Sequence, residues 1–431
     1  MESFQEGLKP RYPCAPRRGV PGVPRVTPAY DGWVRHYLDH AATTPLRPAA
    51  RDAWLVAAQE GGNPSSLHAA GRRARARLDD ARERIAASLG AHPTEVIFTS
   101  GATEANNLAI KGGVWAAMEA DPTRRLLITT QVEHHASLDP ARWLAMGRDV
   151  PVVEVPVDAT ARLRLDHLAS ELAAHGPTTA LVSAQWVNNE VGTVQPIADV
   201  VALAASAGVL VHSDAAQAIA YEAVHFGRSG LSTMAVSAHK FGGPVGVGAL
   251  VARRDVRLVP LSHGGGQERR VRSGTLDVPG AVAFAVALEE AVASRESEVR
   301  RLRELAARLI AGVGASPAYG VLSGPDPGIS RAHSGESAVH GGRSPHIVHF
   351  TFPGANADAL LYGLDSRGID ASQGSACTAG VVQPSHVLLA MRRSEADATS
   401  TIRFSLGWTS TEADVDAVIA AVPEAVERAR R

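Results

Sequence analysis

The chain has 431 residues, 45% of them hydrophobic, which is enough to bury a large core and too long for one small domain. Its 43 Lys and Arg nearly cancel 44 Asp and Glu, so at a net charge of -1 no global field draws the protein to nucleic acid or to an anionic membrane. Two cysteines, Cys14 and Cys377, exclude a disulfide framework and point to a reducing, cytoplasmic setting; no apolar run is long enough for a membrane span.

Residues 1–35 read as a flexible arm. The stretch "LKPRYPCAPRRGVPGVPRVTPAY" is rich in Pro and Arg and lacks the apolar middle of a secretory signal. Few Ser, with Glu2 and Glu6, argue against a transit peptide; a misassigned start codon is the other reading. Cys14 carries no role there. Order is expected from "VRHYLDHAATTP" onward. The stretch "GRRARARLDDARERIAASLG" predicts an amphipathic helix over 71–90. Its basic run reads as the outer face of that helix rather than a nucleic-acid patch, because Asp79, Asp80 and Glu83 follow at pairing distances.

Strands are predicted at 95–99, 125–130, 179–187, 208–214 and 233–238, with a helix at 196–208. Strands alternating with helices define an α/β fold with a mainly parallel sheet, and "GVLVHSD" suits a strand buried on both faces. A long helix over about 279–314 leads to "GPDPGISRAHSGESAVHGGRSP" (324–345), which reads as a surface loop whose His333 and His340 are solvated rather than metal ligands. Beyond it come a strand at 346–352, a helix at 356–368, a strand at 401–407 and a last helix capped by Thr411. The expected division is a large domain over 36–289, whose first residues pack with the other part, and a smaller α+β domain over 290–431.

Chemistry gathers at "VSAHKFGGP" (236–244), where a strand ends and presents Ser237, His239 and Lys240 before a pair of glycines. Lys240 is either a solvent-facing lysine or an amine that forms a Schiff base with a carbonyl cofactor, with Ser237 and His239 on a phosphate. Pyridoxal 5'-phosphate also needs an acid beside its ring nitrogen. Asp214, ending the strand 208–214, supplies one, although it could merely cap a helix. In "FTSGATEANN" a strand passes through Ser-Gly into a helix start, which aims the backbone N–H groups of Ala102 and Thr103 at an anion. Neither a Walker A motif nor a Gly-x-Gly-x-x-Gly after a strand is present.

From Tyr37 to the last helix the chain resembles the pyridoxal phosphate-dependent cysteine desulfurases of the class-V aminotransferase type, in the branch serving iron–sulfur assembly and nitrogen fixation. The matching blocks are "YLDHAATTP", "GNPSSLH", "VIFTSGATEANNLAIKG", "EHHASLDP", "NNEVGTVQPI", "HSDAAQA", "SAHKFGGPVGVGAL", "HGGGQERRVRSGT", "GSACTAG" and "IRFSLG". The resemblance implies the type I, aspartate aminotransferase-like fold, with a mainly parallel seven-stranded sheet in its large domain. It makes Lys240 the Schiff-base lysine, with His134 stacked on the ring and Asn189, rather than Asn188, on the ring hydroxyl. Asp214 falls on the ring nitrogen, Gln217 near the ring substituents on the same helical face, and Ser237 and His239 on the phosphate. Thr275 would reach that phosphate from a second subunit, implying a homodimer. Arg403 would clamp the substrate carboxylate, with Asn189 beside it. Read from residues alone, His134 suits a satisfied core histidine better, a metal site lacking further ligands nearby; His135 reads as structural.

Cys377 completes the set. Gly374, Ser375, Ala376 and Ala379 offer a core cysteine little to pack against and suit an accessible loop. The implied reaction has the freed Lys240 amine take the Cα proton of L-cysteine. The Cys377 thiolate then attacks the substrate sulfur, leaving L-alanine and an enzyme persulfide for a sulfur acceptor, either an iron–sulfur scaffold or a tRNA-thiolating enzyme. Whether His134 or loop closure deprotonates Cys377 stays open. Competing readings are a selenocysteine lyase or aminotransferase on the same fold, and a non-catalytic partner protein. A loop cysteine is superfluous to an aminotransferase, and the intact set Lys240, Asp214, His134, Cys377 and Arg403 argues against lost chemistry. The arm and the 324–345 insertion are departures from the family that touch no chemical block.

Overall fold

Apolar runs without polar alternation become strands covered on both faces, and Thr179–Ser183 and Thr233–Ser237 are buried at every position. The structure, a computed structural model, describes residues 35–316, 318–326, 342–374 and 383–431. Cys14, Cys377, His333 and His340 therefore lie outside the described residues.

Among the described residues the strands are β1 (His36–Tyr37), β2 (Val96–Thr99), β3 (Leu126–Thr130), β4 (Val152–Val155), β5 (Thr179–Ser183), β6 (Leu210–Asp214), β7 (Thr233–Ser237), β8 (Gly248–Ala252), β9 (Val321–Leu322), β10 (Ile347–Thr351), β11 (Ile369–Asp370) and β12 (Thr401–Ser405). A seven-stranded sheet has the order β2-β8-β7-β6-β5-β3-β4. It is parallel except at β8, which runs antiparallel to both neighbours. β4 and β8 were not expected from sequence. β4 is only half-buried along most of its length, and the glycines before β8 mask its β-character. The run expected at 179–187 leaves the ladder after Ser183, though single bonds from Ala184 N to His212 O (3.0 Å) and from Trp186 N to Asp214 O (2.8 Å) keep it beside β6.

The smaller C-terminal domain is built on the antiparallel sheet β12-β10-β9. Its core of Phe350, Phe404, Leu360 and Val422 also takes in Leu38, and β1 pairs in parallel with β11, so the first strand among the described residues joins this domain. The helix Val278–Gly314, 37 residues and about 55 Å long, packs Ala281–Ala291 against the large-sheet core and Val299–Val313 against the C-terminal one. The last helix starts at Glu412 behind the expected cap, where Thr411 and Asp414 form a reciprocal capping box.

The basic helix Ala69–Leu89 carries the expected Arg75–Asp79 pair at 2.8 Å, while Arg77 turns instead to Glu60. Its Arg82 does more. Nη1 and Nη2 donate to the Glu268 carboxylate at 2.7 and 2.6 Å, Glu268 also accepts from Phe98 N at 2.8 Å, and the guanidinium lies over the Phe98 ring. Glu268 is 2% exposed, so this pair ties the loop after β8 to β2. Glu268→Ala would take the carboxylate from a half-buried guanidinium, leaving it Val96 O, and the acceptor from Phe98 N; it is expected to destabilise the fold by about 1.5–3 kcal/mol, read as a lower urea midpoint. An unchanged midpoint would contradict that anchoring. No helix among the described residues is long and apolar enough to cross a membrane, and none of their His, Cys, Asp and Glu form a metal-binding group.

Candidate active site

The carboxyl ends of β2, β6 and β7 open on one side of the sheet, where open α/β folds hold their ligands. β6 ends on Asp214 and β7 on Ser237, and a single 3-10 turn, Ala238–Lys240, then brings His239 and Lys240 round. β2 runs through Ser100 and Gly101 into the helix Ala102–Asn107. Gly101 has φ +151°, a conformation that favours glycine. Gly248 packs so closely on it that a Cβ there would lie 2.7 Å from Gly101 Cα. The two glycines therefore set the helix start against Ser237.

These ends enclose a cavity of about 580 Å³. Ala102, Thr103, His134, Asn189, Asp214, Gln217, Ser237, His239, Lys240 and Arg403 all line it. The cavity also takes in Glu104, Gln185, Glu190 and His386, which sequence reasoning did not single out. Thr275 is exposed and is not among the lining residues of its own chain. Cys377 lies outside the described residues, but Gly374 before it and His386 after it both line the cavity.

Lys240 Nζ donates to the carbonyls of Ala41 (2.6 Å) and Ala42 (2.9 Å), in the "HAATTP" turn. Burial, helped by the charge of Arg403, pushes its pKa down to about 8, against the opposing pull of Asp214 and Asp39. Asp214 is 7% exposed; it accepts from Ala216 N at 2.9 Å and from Asn106 Nδ2 at 2.6 Å. The helix expected after it is instead a run of turns through Tyr221, so Gln217 reaches the cavity without a helical face. Its amide bridges Ala41 O (2.8 Å) and His346 Nε2 (3.1 Å). His134 caps the helix His135–Gly147 through Nδ1, which accepts from Ala136 N at 3.0 Å. Its side chain meets solvent in the cavity, and desolvation by the surrounding walls lowers its pKa despite Asp214. His239 is likewise lowered, to about 4, by burial and then by Lys240.

The two asparagines differ in their bonds. Asn188 is fully buried, with its amide spent on Val132 O and on Glu190 N and Val191 N, whereas Asn189 lines the cavity. Arg403 is 4% exposed and is already held, Nη1 on Asn189 O and Nη2 on Asp39 Oδ1, both at 2.8 Å. Its buried Nε has no partner, and Nη1 and Nη2 each keep a second N–H, so donors remain for an incoming carboxylate. Asp39 was not foreseen. Its signal was the single acid in the block "YLDHAATTP".

The donor set fits pyridoxal phosphate: a desolvated amine, a carboxylate across the cavity, and two backbone N–H groups beside a serine and an imidazole at the third corner. Fold and site together define a pyridoxal phosphate enzyme of fold type I. The profile of the class-V aminotransferase family matches residues 36–418. An IscS-like cysteine desulfurase of Mycobacterium tuberculosis is 51% identical over 92% of this chain and 97% of its own length. A solved NifS-like protein superimposes with a TM-score of 0.81 at 33% identity, covering 91% of this chain and all of the other. A structure described as SspA in complex with cysteine gives 0.73 at 31% identity, over 88% of this chain and 100% of that one. The chain belongs to the class-V aminotransferase family and, within it, to the cysteine desulfurases.

One pH dependence follows. Only the neutral Lys240 amine attacks an aldehyde, and it becomes the major form as pH rises through about 8. Capture of pyridoxal phosphate by the apoprotein is expected to accelerate with pH and level off above that value, followed by stopped-flow absorbance. A rate flat from about pH 6 to about pH 10 would contradict the lowered amine.

Proposed function

We propose that the protein removes sulfur from L-cysteine, using Lys240, Asp214, His134 and Arg403 as the resemblance assigns them and Cys377 as the sulfur-accepting thiol. The observation that carries this reading is the single cavity: it gathers the amine, the acid, the imidazole and the guanidinium, and it is bordered by Gly374 and His386 on either side of Cys377. Pyridoxal phosphate, when bound, supplies an electron sink for the substrate carbon. Ala102, Thr103, Ser237 and His239 hold its phosphate, Asp214 its ring nitrogen, and Asn189 and Gln217 its other substituents. Arg403 orients the substrate carboxylate. Lys240 moves the Cα proton. In the net reaction the C–S bond of cysteine breaks and an S–S bond forms at Cys377. The carbon is reduced to L-alanine with one proton, and the thiol is oxidised to a persulfide. A neutral His134 is able to take the Cys377 proton.

A homodimer is part of this reading, and the exposed position of Thr275 supports its use in a second copy's site. So are a cytoplasmic setting, a division near residue 289, and delivery of the sulfur to an iron–sulfur scaffold or a tRNA-thiolating enzyme. The deciding experiment incubates the purified holoprotein with L-cysteine and a dithiol reductant, which frees the persulfide sulfur, and measures alanine and sulfide in equal amounts. A colourless protein that makes no alanine would overturn it.

A further inference from the structure

Sequence reasoning left unexplained a histidine in the middle of an apolar strand. His212 lies within β6, 0% exposed, two residues before Asp214. Its Nε2 is 2.9 Å from Asn106 Oδ1, and its Nδ1 is 2.9 Å from Thr233 Oγ1 on β7. Asn106 is 0% exposed and donates from Nδ2 to Asp214 Oδ2. The direction of each bond follows from the last one. A carboxylate only accepts, so the Asn106 amide must turn its NH₂ to Asp214 and its oxygen to His212. His212 must then donate from Nε2. Burial pushes its pKa down to about 4, so near neutral pH it carries one proton, and Nδ1 accepts from the Thr233 hydroxyl.

We propose that Asn106 and His212 are positioning residues for Asp214: the one-directional chain Thr233–His212–Asn106–Asp214 fixes the carboxylate's orientation toward the cofactor's ring nitrogen. This rests on the reading of Asp214 as the ring partner. Asp214 Oδ1 is held by a backbone N–H alone, so without Asn106 nothing on the far side stops the carboxylate from rotating. The other titratable groups that act on Asp214 are Glu133 and His134 after β3 and Lys240 after β7, and the chain involves none of them. Each polar side-chain atom along the chain has at least one partner, which makes it a rigid support.

The test compares cofactor-loaded His212→Leu, His212→Gln and Asp214→Asn with the parent. It reads the pH at which the visible band of the lysine-bound cofactor titrates, with kcat and KM for L-cysteine. A protonated ring nitrogen withdraws charge from the lysine–cofactor linkage and lowers that midpoint, so a poorly aimed Asp214 raises it. His212→Leu is expected to raise the midpoint by about one unit, the scale of one hydrogen bond to a charged group, and to lower kcat about tenfold with KM unchanged. His212→Gln, whose amide can still donate to Asn106, is expected to return most of both changes. A folded His212→Leu protein with the parent midpoint and kcat would overturn the chain. Should it fail to fold, Thr233→Val keeps the strand's β-branched shape while leaving His212 Nδ1 without its donor; it is expected to shift the midpoint upward by less, and a parent-like midpoint would overturn the chain. If Asp214→Asn shifts the midpoint and His212→Leu does not, only the chain fails. If Asp214→Asn itself leaves the midpoint unmoved, the ring-partner reading fails and takes the chain with it.

Discussion

Lys240→Ala is expected to abolish the visible absorbance of the lysine-bound cofactor and to lower kcat for alanine formation by at least about 10³-fold. The argument is local. Lys240 stands at the end of β7 on a turn that cannot move without disturbing a fully buried strand. Its amine rests on two carbonyls inside the cavity and carries a pKa lowered to about 8, so it is unusually available as a nucleophile and as a base. No other lysine among the described residues lines the cavity. Alanine removes the covalent tether and the proton carrier together. The phosphate contacts survive, so the variant is expected to bind pyridoxal phosphate still, more weakly and with the spectrum of the free aldehyde. A variant that keeps the parent spectrum would remove Lys240 from both roles.

The complementary result is expected from Cys377→Ser. The lysine–cofactor absorbance should match the parent, because the cavity residues that hold the cofactor are untouched, while sulfide and persulfide formation fall by at least about 10³-fold. A hydroxyl is a poor acceptor for sulfur, and at neutral pH it is not ionised as a cysteine thiol partly is. The two variants thus separate the halves of the reaction: one loses the colour and the chemistry, the other only the chemistry. Persulfide labelling of the parent protein after exposure to L-cysteine, mapped by mass spectrometry, should find the modification on Cys377. Finding it on Cys14 alone, or release of sulfide by the Ser variant at the parent rate, would exclude the proposed nucleophile.

The local sequence was sufficient for the elements whose cause is itself local. Thr411 announces a helix start because a cap and an acid three residues on satisfy the same two backbone groups wherever they occur. "GVLVHSD" and "TMAVSA" announce buried strands because their apolar runs have no alternation to lose. The residues of the cavity were legible as separate blocks, "FTSGATEANN", "HSDAAQA" and "SAHK", because each carries its chemistry at a strand end.

What sequence did not disclose depends on distance along the chain. Asp39 on Arg403, Glu268 on Arg82, and Asn106 on His212 join residues more than 100 positions apart. Nothing in the neighbourhood of either partner announces the other. The antiparallel placement of β8 and the turns after Asp214 were hidden for a related reason: the glycine-rich stretch before β8 carries little preference of its own, and the helical preference of the alanines after Asp214 is overridden by their packing. The sequence by itself determined which groups the protein has for its chemistry. Only the tertiary structure decided which of them share a cavity and which way each one faces, because hydrogen-bond direction and desolvation are set by atoms packed from distant segments.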